Sequence, residues 1–194
     1  MRIIGDVHGE IEQYKALIKG CSESIQIGDM GCGFVEIPDI QTGWNRWFRG
    51  NHDNPELSRK HPNYLGEWGT TKNDIFYAAG AYSIDRHLRT AGINWWPDEQ
   101  LSRDVLEEVK ASYLEKKPEI VLTHACPEKI KQMVLLKGFG KFANIQTWTE
   151  TYFQEMFEGH QPKLWVFGHL HIPFDAVVEG TRFVCLDILK TMDI

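Results

Sequence analysis

Short, almost uninterrupted apolar runs recur along this chain, and each gives way first to glycine and then to polar residues. Residues 2 to 6 read as a short buried strand, Ser24 to Gly28 as a second, and Trp47 to Gly50 as the end of a third. Between the first two strands, Ile11, Tyr14, Leu17 and Ile18 fall at helical spacing, so the chain opens as strand, loop and helix. Phe76 to Ile84 predicts a strand pair around Gly80. A long irregular stretch with Arg86, Arg89, Trp95, Trp96 and Pro97 follows, a candidate active-site loop.

The second half repeats the theme. Ser102 is placed to cap a helix that carries Asp104 in its first turn and Val105, Val109 and Tyr113 as its apolar stripe, with Pro118 marking the end. Glu119 to Thr123 is a strand that feeds His124. Pro127 suits a helix first turn, Gly138 and Gly140 break the chain, and Tyr152, Met156 and Phe157 suit the buried side of a further helix. Three strands close the chain, Leu164 to Phe167, Phe174 to Val178 and Arg182 to Leu186, with Gly180 as the hairpin turn between the last two. No repeat, low-complexity segment or linker divides the 194 residues, so one domain over 1–194 is expected.

Composition narrows the class. A net charge of −6 argues against a surface made for non-specific nucleic-acid binding, although a metal cluster and local arginines can still attract a phosphate. The four cysteines are scattered without a C-x-x-C pair, which indicates neither a thiolate zinc knuckle nor a disulfide framework. No apolar run approaches the roughly 20 residues that span a bilayer, and Met1-Arg2-Ile3-Ile4 enters a strand at once. The expectation is a soluble, cytoplasmic protein with no membrane partner.

The chemistry is gathered where the strands end. Asp6-Val7-His8, Gly28-Asp29, Gly50-Asn51-His52-Asp53, Thr123-His124 and Gly168-His169-Leu170-His171 each follow a strand-like run. Side chains two apart on an extended segment point the same way, so Asp6 with His8, and His169 with His171, can each aim a pair of ligands at one centre. Gly5, Gly9, Gly28, Gly50 and Gly168 would let the backbone turn sharply and come close to a metal. Together the fragments supply oxygen and nitrogen ligands for two divalent metals plus a spare histidine beside a carboxylate. That is the equipment of metal-assisted phosphate-ester hydrolysis. Each fragment alone is weak; five of them in order carry weight.

The order D-x-H, G-D, G-N-H-D, H, G-H-x-H, running from Asp6 to His171, resembles the calcineurin-like metallophosphoesterase family, in particular its small bacterial and phage-type members. The resemblance implies an α/β fold, a four-layer-type sandwich of two mixed β-sheets flanked by α-helices, with a dimetal site at the strand ends. Carried over by position, Asp6, His8 and His171 would hold one metal, Asn51, His124 and His169 the other, and Asp29 would bridge them. The family's metals are manganese, the first expectation here, iron, zinc, nickel or magnesium, and a mixed imidazole, carboxylate and amide set does not select among them. A hydroxide shared by two metals about 3.5 to 4 Å apart would attack phosphorus in line. His52 would stabilise the transition state or protonate the departing oxygen, with Asp53 orienting its ring.

One departure bears on substrate. The protein serine/threonine phosphatase branch reads G-D-x-x-D-R-G in its second block, whereas this chain has Cys32 and Gly33 in place of that Asp and Arg. Another cation must then grip the phosphate. Arg49, Arg86, Arg89, Lys137 and Lys141 are candidates, and Arg86 with Arg89 is the preferred pair. Trp44, Trp95 and Trp96 are candidate stacking platforms for a base, with core or lid packing as the alternative. The expected partner is a phosphate ester, mono- or diester, with a nucleotide among the options. Two alternatives stay open: a catalytically silent metal-binding scaffold of the same fold, and a nuclease acting on short single strands without an extended nucleic-acid interface.

Overall fold

The structure, a computed structural model, describes residues 1–136 and 144–194; the break expected at Gly138 and Gly140 and the candidates Lys137 and Lys141 lie outside the described residues. The strands are β1 (Arg2–Ile4), β2 (Glu23–Ile27), β3 (Trp44–Phe48), β4 (Trp68–Thr70), β5 (Ile75–Ala78), β6 (Ile120–Thr123), β7 (Leu164–Phe167), β8 (Phe174–Val178), β9 (Thr181–Cys185) and β10 (Thr191–Asp193). The helices described are α1 (Ile11–Ile18), α2 (Pro55–Lys60), α3 (Arg103–Lys116), α4 (Glu128–Leu135) and α5 (Trp148–Gly159).

The strands form two mixed sheets, ordered β10-β1-β2-β3 and β4-β5-β6-β7-β9-β8. In the first, β1, β2 and β3 are parallel and β10 is antiparallel. In the second, β5, β6, β7 and β9 are parallel, and β4 and β8 are antiparallel edges.

Alternation along each strand explains why the runs are apolar throughout. Ile3, Ile25, Ile27 and Phe48 face Tyr77, Leu122, Val166 and Val184 in the layer between the sheets. Their neighbours Phe76, Val121, Trp165 and Phe183 face outward and pack with Leu106, Val109 and Tyr113 of α3, Ile130 of α4 and Phe153 and Phe157 of α5. On the far side, Ile4 and Trp47 pack with Tyr14 and Ile18 of α1. Both faces of each sheet are covered, giving the layers helix, sheet, sheet, helix that the resemblance implies.

Local chemistry sets most boundaries. The Ser102 hydroxyl accepts the Val105 N–H at 3.3 Å and caps α3. The loop of two residues between β8 and β9 is Glu179 (φ 50°) and Gly180 (φ 86°), the double positive φ of a tight hairpin. The strand pair expected around Gly80 does not form. After β5 the Ala79 and Gly80 N–H groups go to the carbonyls of Glu67 and Arg49, and the Ser83 N–H goes to the Glu99 carboxylate, so no ladder continues. The sequence pattern also misses β4, β10 and α2, which are three, three and six residues long, too short for periodicity to register. No helix among the described residues is long and apolar enough to cross a membrane. The four cysteines are free.

Candidate metal centre

Parallel strands of both sheets deliver their carboxyl ends to one place. Past β1 come Asp6 and His8, past β2 Asp29, past β3 Asn51 to Asp53, past β6 His124, and past β7 His169 and His171. Four of these take left-handed backbone: His8 (φ 48°), Asp29 (φ 57°), His169 (φ 67°) and His171 (φ 51°). Such conformations cost about 1 kcal/mol or more each and persist only where neighbours enforce them. Here the N–H groups of Val7 and His8 both donate to the Asp29 carbonyl, at 3.0 and 2.8 Å, and the His169 N–H donates to Asp6 Oδ1 at 3.2 Å.

The side chains gather in two groups. Ligand atoms of Asp6, His8, Asp29 and His171 all lie within 4.8 Å of one another. His171 Nε2 is 2.7 Å from Asp6 Oδ2 and 3.0 Å from His8 Nε2, which is itself 3.7 Å from the same Asp6 oxygen. Beside them, His124 Nε2 lies 3.1 Å from Asn51 Oδ1 and 3.3 Å from Asp29 Oδ2, and the His169 ring is centred 5.1 Å from the His124 ring. Asp29 Oδ2 also lies 3.9 Å from His8 Nε2, so one oxygen stands between the groups. His169 and His171 therefore aim at different partners. The expectation that they share a centre assumed an extended segment, and positive φ at both residues removes that premise.

The electrostatics follow from burial. Burial acts to lower the His124 imidazole, but the carboxylates of Asp29 and Asp6 prevail and raise it to about 9. Its Nδ1–H donates to the Ile27 carbonyl at 2.9 Å, which leaves Nε2 for a ligand role. Burial acts to raise Asp29, yet His124 above all, with His52 and His8, holds it well below the usual carboxylate range. Burial, reinforced by His124, keeps His169 well below an ordinary imidazole, and burial also lowers His8. The hydrogen bond to Asp6 raises His171.

Two glycines are required by close approach. A Cβ on Gly50 would stand 2.1 Å from Asp29 Oδ1, and one on Gly168 would stand 2.2 Å from Asp6 Oδ1. These positions let backbone pass where the carboxylates must sit.

The model of the calcineurin-like phosphoesterase family matches residues 2–173. The chain belongs to the calcineurin-like phosphoesterase family. As a member it is a hydrolase of the metal-dependent phosphoester class. No curated protein sequence matches it. Among solved structures it is similar to TT1561 of Thermus thermophilus, at 14% identity and TM-score 0.50, covering 96% of this chain and 89% of that one. It is also similar to the phosphopantetheinyl hydrolase of Mycobacterium tuberculosis, at 11% identity and TM-score 0.47, with the same coverages of 96% and 89%.

The donor set of this phosphoesterase fits divalent cations. Asp6 and Asp29 are buried carboxylates, 0% and 1% exposed, and imidazole nitrogens of His8, His124 and His171 surround them. Buried carboxylates crowded by imidazole nitrogens and an amide oxygen call for a compensating cation.

His52 and Asp53 part company. Asp53 is fully buried, and its carboxylate accepts the N–H groups of Met30, Gly31, Cys32 and Gly50 at 2.8–3.1 Å. It ties the loop after β2 to the loop after β3, and the side chain hydrogen-bonded to the His52 ring among the described residues is Arg89. The Arg89 Nη1 lies 3.0 Å from His52 Nδ1, while its Nε and Nη2 hold Asp85 at 2.8 and 2.7 Å. The His52 backbone N–H donates to Asp29 Oδ1 at 2.8 Å, which ties this residue to the ligand set.

The other cations are spread out. Arg86 is exposed and lies over the Tyr82 ring, 4.7 Å from its centre. Arg49 is 1% exposed, bound to Glu67 at 2.8 Å and to the Glu99 carbonyl at 2.6 Å, so it is a buried structural pair. Trp44 starts β3, at the end opposite the ligands, and carries Arg46 and Lys72 over its ring; Trp96 packs edge-on against Phe34.

Sequence reading missed Ser83, Glu99 and Asp85. Asn51 Nδ2 donates to Ser83 Oγ at 2.9 Å, and that hydroxyl donates to the buried Glu99 carboxylate at 2.5 Å, which turns Asn51 Oδ1 toward His124. Glu99 lies between Asp98 and Gln100 in a stretch without periodicity, so nothing local in the sequence pointed to this network.

Proposed function

We propose that the protein hydrolyses phosphate esters at a dinuclear centre, with Asp6, His8 and His171 holding one cation and Asn51, His124 and His169 the other. Asp29 lies on both. The observation that carries this reading is the position of Asp29 Oδ2, 3.3 Å from His124 Nε2 and 3.9 Å from His8 Nε2. The mixed imidazole, carboxylate and amide set does not select one divalent cation, and manganese is the first to try. Two bound divalent cations supply Lewis acidity, which lowers the pKa of water and neutralises phosphate oxygens.

The chain's own residues do the remainder. His52 stands at the rim, its ring 5.4 Å from that of His8; with Nδ1 taking the Arg89 N–H, it is placed to stabilise the transition state by a hydrogen bond from Nε2–H to a phosphate oxygen. Arg89 steadies His52 and brings a fixed positive charge to the place where the phosphate arrives, with Asp85 anchoring the guanidinium. This supplies the charge that the second block lacks at Cys32 and Gly33. Arg86, stacked on Tyr82, stands farther out and is the weaker half of the expected pair.

Turnover of 4-nitrophenyl phosphate and of bis(4-nitrophenyl) phosphate by metal-loaded protein tests the reading and assigns mono- or diester preference. Activity on neither, with metal bound, counts against it.

A further inference from the structure

Beside the ligand residues a pocket of about 330 Å³ opens, within the range of small-molecule sites. Asn51, His52, His169 and His171 form one wall, so the pocket begins where a phosphate would sit. The walls leading away are Tyr82, Ile84, Leu135 and Leu170. Apart from the Tyr82 hydroxyl, these four side chains are hydrocarbon.

The ionised lining of the pocket is already committed. Lys131 is 3% exposed, and its ammonium binds Glu150 at 2.6 Å and also donates to the Ile145 carbonyl. Glu150, 5% exposed, takes the Thr147 hydroxyl at 2.8 Å on the same oxygen. Asp85 is engaged by Arg89 at 2.7 Å. Among the described residues, then, the lysine and both carboxylates that face this cavity are spent on internal pairs. A second anionic group would find no free lysine or arginine among them, and an uncharged ring would cover hydrocarbon that is otherwise wet.

We propose that this pocket seats the organic group of the phosphate ester, and that the group is uncharged and largely apolar, an aromatic ring being the form that fits best. This deepens the hydrolase reading and rests on it for the placement of the phosphate. It excludes polyphosphates and acidic phosphopeptides as preferred substrates.

Non-hydrolysable phosphonates separate binding from turnover. Calorimetric titration of manganese-loaded protein with methylphosphonate, benzylphosphonate and phosphonoacetate is the test. Benzylphosphonate is expected to bind about tenfold or more tightly than methylphosphonate, the scale of burying a ring, and phosphonoacetate no more tightly. Ile84, 43% exposed, tolerates a polar replacement, so the uncharged Ile84→Asn keeps the wild-type thermal midpoint and methylphosphonate affinity but loses most of the ring's advantage. Equal binding of the benzyl and methyl compounds, tighter binding of phosphonoacetate, no binding of any of the three, or an undiminished ring advantage in Ile84→Asn overturns the proposal. If the ring preference holds while neither nitrophenyl ester turns over, the pocket stands and the hydrolase reading falls.

Discussion

The Arg89 guanidinium lies against the His52 imidazole, Nη1 at 3.0 Å from Nδ1 and Nη2 at 3.4 Å from Nε2, and Asp85 holds the same guanidinium from behind. The His52 imidazole thus meets a cation 37 residues away in the chain, itself anchored to an acid, and not the carboxylate next to it.

Replacing Arg89 with alanine frees the ring and removes the guanidinium beside it. Hydrogen bonds to charged groups contribute about 1.5–3 kcal/mol, so kcat/KM is expected to fall by about 10- to 100-fold while metal content is unchanged. Arg89→Lys recovers little, because one ammonium cannot span His52 and Asp85 together. Steady-state kinetics with metal analysis checks this, and wild-type kinetics in Arg89→Ala would remove Arg89 from the site.

Ser83 matters through Asn51. Ser83→Ala leaves the Asn51 amide free to turn, and loss of such an orienting partner costs about 10- to 100-fold in metal affinity. The effect is expected on one of the two cations only, since Ser83 bonds to Asn51 and Glu99 and not to Asp6, His8 or His171. Titration with manganese read by calorimetry shows whether one binding step weakens or both do.

Asp53 is expected to act on stability. Asp53→Ala strands four buried backbone N–H groups and should lower the unfolding free energy by about 3–5 kcal/mol, whereas His52→Ala changes it little. Urea unfolding of the two variants decides it. A stable Asp53→Ala protein with lost activity would return Asp53 to a catalytic role.

Metal uptake should release protons. With His124 held at about 9 in the metal-free protein, its imidazole is charged near pH 7, and ligation through Nε2 requires the neutral form. The sign is therefore release on binding, about one proton from this residue at about pH 7.5, and affinity that rises with pH up to about 9. Calorimetry in buffers of different ionisation enthalpy measures it, and a buffer-independent heat would exclude a charged His124.

The sandwich was legible because strands covered on both faces leave unbroken apolar runs, as in Ile120–Thr123 and Leu164–Phe167, and because Ser102 and Gly180 carry their own caps and turns. The polar residues after each run also marked where the sheets would converge. Pairings across the fold were not legible. Asp53 follows His52 in the chain, which suggested a side-chain pair, but its oxygens satisfy the loop after β2. Arg49 was among the candidate phosphate-binding cations, and nothing in the sequence showed that Glu67 and the Glu99 carbonyl would bury it. Asp85, Ser83 and Glu99 belong to a loop without periodicity, so nothing local distinguished them.

The most direct test is metal content measured together with hydrolysis of mono- and bis-nitrophenyl phosphates, on chelated protein reloaded with manganese, for wild type and His52→Ala. The expected result is about two manganese ions per chain in both proteins, hydrolysis of at least one ester by wild type only when metal is present, and slow turnover by the variant. Hydrolysis that survives chelation, or two bound ions with no turnover of either ester, would contradict the dinuclear hydrolase.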